Sequence, residues 1–250
     1  MIFNLKKKIN KILFNFTGYQ IRKIDKTKEY FKDEPHLDKD FFKVCSKIEK
    51  IYQHDCIHET NYTAYNLVKN ATYQNIEGCI IECGVFQGEK ISVIIETLKL
   101  LNVYDKNIYV IDTFQGMTEP SSSDYQVIDG NKMREKDMLC TLEKVKKNIS
   151  FSNYPSEKIK FIKIDVRNTN DLRNIINEPI SILRLDTDFY DSTSSILEAL
   201  YEKVVKGGYL IHDDYGHWRG HYEGCQKFYA ANDIKPLLIR TCRKERIEIK

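Results

Sequence analysis

With 250 residues the chain has the length of one domain with decorations, enough to bury about 70% of its unfolded surface without disulfide staples. Hydrophobic residues at 42% and charged residues at 30% exclude a wholly disordered chain, a collagen-like repeat and a polytopic membrane protein. The net charge of +3 is uneven: residues 1–30 hold eight Lys/Arg against Asp25 and Glu29, so the other 220 residues are net acidic and no nucleic-acid-binding surface or motif is legible.

In the first 35 residues Ile2, Leu5, Ile9, Ile12, Leu13 and Phe16 recur at three- and four-residue steps. Lys6, Lys7, Lys8 and Lys11 fall mostly between them, which predicts a basic amphipathic helix ended by Gly18. It lacks the continuous apolar core of a signal peptide. Such an arm (residues 1–35) either lies on an anionic membrane surface through residues 1–18 or packs on its own domain or a second subunit. The expected location is cytoplasmic, at the inner membrane face where the arm seeks lipid.

Helices are predicted over 37–54, where Phe41, Phe42, Val44, Ile48 and Ile51 form a stripe, and over 61–74. From residue 79 short apolar strands alternate with helices: strand 79–83, helix 90–101, strand 107–112, strand 159–164, helix 170–176, strand 180–186, helix 192–205, strand 207–212 and helix 220–232. Segments 236–240 and 246–250 read as a closing pair of strands. This pattern is that of a parallel sheet covered on both faces. Residues 113–135 are a long irregular stretch leaving a strand end, where open α/β sheets bind ligands; it is expected to close over an acceptor substrate. Seven cysteines stand at 45, 56, 79, 83, 140, 225 and 242 with no CxxC. That spacing reads as core thiols in a reducing compartment and not as a zinc site.

Glu82-Cys83-Gly84-Val85-Phe86-Gln87-Gly88 falls at the first strand-to-helix turn. Gly84 allows a sharp turn and Gly88 a helix starting close to a ligand. Asp112, 24 residues after Gly88, ends the next strand, where a carboxylate takes ribose hydroxyls. Asp165 ends a third strand, beside the expected adenine. NAD needs GxGxxG to cradle its pyrophosphate, and Val85 and Phe86 break that pattern. S-adenosylmethionine, which has no phosphate, fits better, with Glu82 near its cationic end.

Asp186 and Asp188 end the fourth strand, and Asp213 and Asp214 the fifth. Adjacent strand ends lie roughly 5 Å apart, so these carboxylates converge beside the cofactor pocket. The simpler alternative is that Asp188, Asp191 and Ser192 only cap the next helix. Asp186, Asp213 and Asp214 are the expected ligands of Mg²⁺, with Mn²⁺ or Ca²⁺ as alternatives. A divalent ion beside a methyl donor suggests O-methylation, with Asp186 as the group that takes the acceptor's proton.

Four runs carry a family resemblance: Ile81–Gly88, Asp112–Met117, Leu183–Thr193 and Gly207–Tyr215. Together they resemble the macrocin O-methyltransferase family over roughly residues 60–235. The resemblance implies a class I methyltransferase domain over residues 36–250: an α/β, Rossmann-like seven-stranded sheet, mostly parallel, with an antiparallel last strand, helices on both faces and extra N-terminal helices. It implies S-adenosylmethionine as donor beside Glu82, Gly84 and Asp112, Mg²⁺ on Asp186 and Asp213/Asp214, a sugar hydroxyl as acceptor, and an oligomer. His212 replaces a small apolar residue before the aspartate pair. The stretch after Tyr215, with His217 and His221, is unusually rich in histidine and aromatics. These departures leave the acceptor open between a glycan precursor and a glycosylated natural product, and the basic arm alone points to a nucleotide- or lipid-linked sugar of a glycan precursor. Two rivals remain: a glycosyltransferase using Asp186-Thr187-Asp188 as a DxD, and a non-catalytic scaffold.

Overall fold

The computed structural model describes residues 38–250; the amphipathic arm expected over residues 1–35 lies outside the described residues. Two helices lead in. α1 (Lys39–Tyr52) is capped by Asp38, whose carboxylate accepts the Asp40 amide at 2.9 Å, and buries Phe41, Val44, Cys45 and Ile48. α2 (Glu59–Tyr73) follows. The alternating part then runs β1 (Cys79–Cys83), α3 (Glu89–Leu100), β2 (Ile108–Asp112), α4 (Leu142–Ser150), β3 (Ile159–Lys163), α5 (Thr169–Ile175), β4 (Ile180–Leu185), α6 (Tyr190–Leu200), β5 (Val204–His212), α7 (Arg219–Ala231), β6 (Leu238–Arg240) and β7 (Arg246–Ile249).

The strands form a seven-stranded sheet in the order β3-β2-β1-β4-β5-β7-β6. β1 to β5 are parallel, and β7 runs antiparallel to both its neighbours. This is the expected sheet, with the last strand reversed. β1 and β4 are buried along their whole length, as strands covered on both faces are, and are apolar apart from Glu82, Ser181 and Arg184. Alternation divides their side chains between two layers. Ile81, Cys83, Leu183, Leu185 and Leu210 pack against α6 and α7, whereas Glu82 and Arg184 are register partners that turn the other way. The strand order reverses between β1 and β4, so the crevice at their carboxyl ends is the natural ligand position.

Two elements differ from the sequence expectation. α4 was not anticipated: it is only nine residues long and mostly polar, and Val145 and Ile149 are the apolar residues of its buried face. The helix expected to run to residue 205 ends at Leu200, then tightens into a 3₁₀ turn, because β-branched Val204 already pairs with Ile180. Residues 113–141 contain no helix or strand, as expected for most of that span. Their neck is closed by backbone bonds, Met117 N to Asp137 O and Lys136 N to Met117 O, both 2.8 Å. No described helix is long and apolar enough to cross a membrane.

Candidate active site

The turn after β1 is shaped by close backbone approach. Gly84 has φ +81°, and a Cβ there would drive into the carbonyl oxygen of Asp186, just past the end of β4. Three of the loop's amides are already engaged. Asp112 Oδ2 accepts Val85 N at 2.7 Å and Phe86 N at 3.4 Å, and Gly88 N donates to Val85 O at 2.9 Å. Asp112 Oδ1 accepts Phe114 N at 2.7 Å, so one carboxylate fixes the loops after both β1 and β2. Phe86, Phe114 and Asp188 have φ between +46° and +62°, a costly conformation for non-glycine residues that concentrates at functional sites.

A cleft opens there, lined by Gly84, Asp112, Asp165, Asp186 and Asp188 among others. Gly88 does not line it. Its φ of +86° starts α3, and a Cβ would press on Val145 and Ile149 of α4. Asp165 is held by Arg167 at 2.6 Å, which lowers its pKa. Glu82 is away from the cleft and faces a neighbouring cavity of about 820 Å³. Val85, Phe86, Met138, Asp186 and Asp188 line both spaces.

Arg184 is the centre of charge between the two. It is 1% exposed, pairs with Glu82, and reaches Asp186 Oδ2 and Asp213 Oδ1, each at 2.6 Å. Burial raises the Glu82 carboxyl to about 8 against the pull of Arg184. Lys244, from the β6–β7 turn, takes Asp213 Oδ2 at 2.5 Å. Burial pushes Asp213 up, but Arg184 and Lys244 outweigh it and hold the carboxyl far below the usual range.

Asp213 therefore does not join the acidic cluster in which the sequence reading placed it: both its oxygens are committed to cations. The carboxylates that do converge are Asp186, Asp188 and Asp214, with oxygens within 4.8 Å of one another. Burial raises Asp188 to about 6, and burial with the Asp188 charge raises Asp214 well above its ordinary value. Crowded carboxyls of this kind are stabilised by a hard cation, and the all-oxygen donor set fits Mg²⁺. Arg184 was overlooked in the sequence, although a charge inside Ile-Leu-Arg-Leu of a buried strand was a visible signal. Lys244 sits in a turn and gave none.

The long segment joins the two spaces. Its start, Thr113 to Met117, lines the cleft, while Gln126 and Met133 line the cavity. Gln126 bridges to Trp218, Val127 N donates to His217 O at 2.9 Å, and buried Asp124 accepts Tyr190 N at 2.8 Å. His217 faces the cavity with Arg243 and Lys244, and its pKa is lowered by burial and by those two cations.

A model of the Macrocin-O-methyltransferase (TylF) family matches residues 62–242. The chain belongs to that family. The TylF match covers the glycine turn, the long segment and both acidic strand ends. Demethyldecarbamoylnovobiocin O-methyltransferase of Streptomyces niveus is 28% identical over 174 residues, 69% of this chain and 66% of the relative. The 8-demethyl-8-(2,3-dimethoxy-alpha-L-rhamnosyl)-tetracenomycin-C 4'-O-methyltransferase of Streptomyces olivaceus is 25% identical over 150 residues, 59% of this chain and 57% of the relative. The chain thus spans less than two thirds of the length of these relatives. The solved structure of the O-methyltransferase NovP has a TM-score of 0.69 at 25% identity, covering 77% of this chain and 79% of that one.

Proposed function

We propose that the chain is an S-adenosylmethionine-dependent O-methyltransferase that acts on a sugar hydroxyl and uses Mg²⁺. The observation that carries this reading is the shared wall: Asp186 and Asp188 line both the cleft at the switch point and the larger cavity. A donor in the first and an acceptor in the second would meet at those carboxylates. The cleft suits a nucleoside without phosphates. The loop amides that would cradle a pyrophosphate are held by Asp112 and Val85, and the Asp112 charge repels one. The family supports methyl transfer, and the rhamnosyl group in one relative's name supports a sugar.

Asp186 and Asp214 are the carboxylates that would hold Mg²⁺, an ion commonly bound through one or two carboxylates. When bound, it supplies Lewis acidity that eases deprotonation of an acceptor hydroxyl. Asp186 has its Oδ2 fixed by Arg184, so Asp188, raised to about 6, replaces it as the proton acceptor. Arg184 and Lys244 hold Asp213 and thereby fix the end of β5. Val85, Phe86 and Met138 line both spaces and give their junction an apolar wall. Lys244 is committed to Asp213, so Arg243 beside His217 is the cation of the cavity wall that would meet an anionic group on the acceptor, as in a nucleotide- or lipid-diphosphate sugar.

Isothermal titration with S-adenosylhomocysteine, with NAD as control, tests the donor; micromolar binding of the first alone is expected. Turnover on nucleotide sugars is expected to require Mg²⁺ and to disappear in Asp214→Asn while S-adenosylhomocysteine still binds. A folded sample that binds neither ligand refutes the reading.

A further inference from the structure

β5 turns alternate residues to opposite faces of the sheet, so Asp213 meets Arg184 while His212 enters the layer beneath α7. There it meets His221 and Cys225, four residues apart on one face of α7. All three are fully buried, and one donor atom from each lies within 4.8 Å of the others. His212 Nδ1 is 3.5 Å from Cys225 Sγ. Tetrahedral bonds of about 2.05 and 2.3 Å hold a nitrogen and a sulfur roughly 3.5 Å apart.

Two further observations point to a ligand. Both ring nitrogens of His221 are buried without a hydrogen-bond partner among the described residues, a costly arrangement for a polar side chain. The far side of His212 is also prepared. Tyr229 donates its hydroxyl proton to Glu248 Oε2 at 2.6 Å and lies 3.0 Å from His212 Nε2. Its oxygen therefore accepts the Nε2 proton, which leaves the Nδ1 lone pair facing Cys225. A histidine braced in this way on its outer nitrogen is the usual partner of a metal.

We propose that His212, His221 and Cys225 bind a thiophilic divalent cation, zinc first, which pins α7 to the end of β5. Two imidazoles and a thiolate form a borderline-soft donor set suited to zinc and unlike the all-carboxylate cluster on the other face. Cysteine spacing does not reveal this site, because two of its three donors are histidines and one comes from a different element.

The test is the metal content of the full-length chain, purified without chelator, followed by replacement with Co²⁺. About one zinc per chain is expected, together with a thiolate-to-cobalt charge-transfer band in the cobalt form. Both should be lost in Cys225→Ser and in His221→Gln and kept in Asp186→Asn. Cobalt on the carboxylates gives no thiolate band, and neither readout needs turnover, so failure of the methyltransferase reading leaves this test intact. Wild-type protein that is folded, free of zinc and without the band after refolding with Co²⁺ overturns the proposal. Zinc retained in both ligand variants overturns it as well. Should either variant fail to fold, the wild-type measurements decide.

Discussion

Replacing Arg184 with Met tests whether one buried guanidinium organises the site. The methionine fills much of the volume but removes the charge shared by Glu82, Asp186 and Asp213. Breaking a buried ion pair by removing one partner costs about 3–5 kcal/mol. The lower end is expected here. Glu82 already has a carboxyl raised to about 8 and relieves itself by taking a proton, and Asp213 keeps Lys244. For a domain of this size, 3–5 kcal/mol lowers Tm by roughly 6–20 °C. The assay is urea unfolding followed by circular dichroism at pH 7.5, run in parallel with Glu82→Gln/Arg184→Met. The double variant is expected to recover part of the loss, since it no longer has to neutralise Glu82. A change below about 1 kcal/mol in the single variant, the range of an exposed pair, would refute the view of Arg184 as the hub.

Turnover should rise with pH and level off by about 6, because Asp188 accepts a proton only when ionised; burial raises its carboxyl to about 6 without metal, and Mg²⁺ on Asp186 and Asp214 would lower it again, so turnover that is still climbing between pH 7 and 8 removes Asp188 from the role. Asp188→Asn should lower kcat by roughly 10²–10⁴-fold with little change in S-adenosylhomocysteine affinity, measured by titration. Gly84→Ala should abolish donor binding, since the added carbon meets the Asp186 carbonyl at a φ of +81°; unchanged affinity would show that the turn is not the donor site. Liposome flotation of the full chain against a chain beginning at residue 20 decides between the two readings of the basic arm: loss of flotation in the shorter form supports the membrane reading, and equal flotation removes it.

Strand positions were readable because β1 and β4 are buried on both faces and are therefore mostly apolar. The glycine turn, Asp112 and the acidic strand ends were readable because each is an exception to that apolar rule. What sequence could not supply was direction. Asp213 and Asp214 are neighbours, yet one is held by two cations and the other faces Asp188, a division set by pleat and by Lys244 arriving from a distant turn. Glu82 shows the same limit. Its place beside Gly84 suggested the donor, but alternation turns it toward Arg184 and the cavity. α4 was missed because Val145 and Ile149 are too few to stand out among its lysines.

The neck between Met117 and Lys136–Asp137 has a kinetic consequence. Because the neck is hydrogen-bonded shut, the loop that carries Gln126 and Met133 springs from the same point of chain as Thr113–Gly116. A molecule in the cleft and a molecule in the cavity then bear on the same piece of chain. On the proposed reading, donor and acceptor would each touch this one segment, and initial-rate kinetics with both substrates varied would show whether binding of one alters entry of the other.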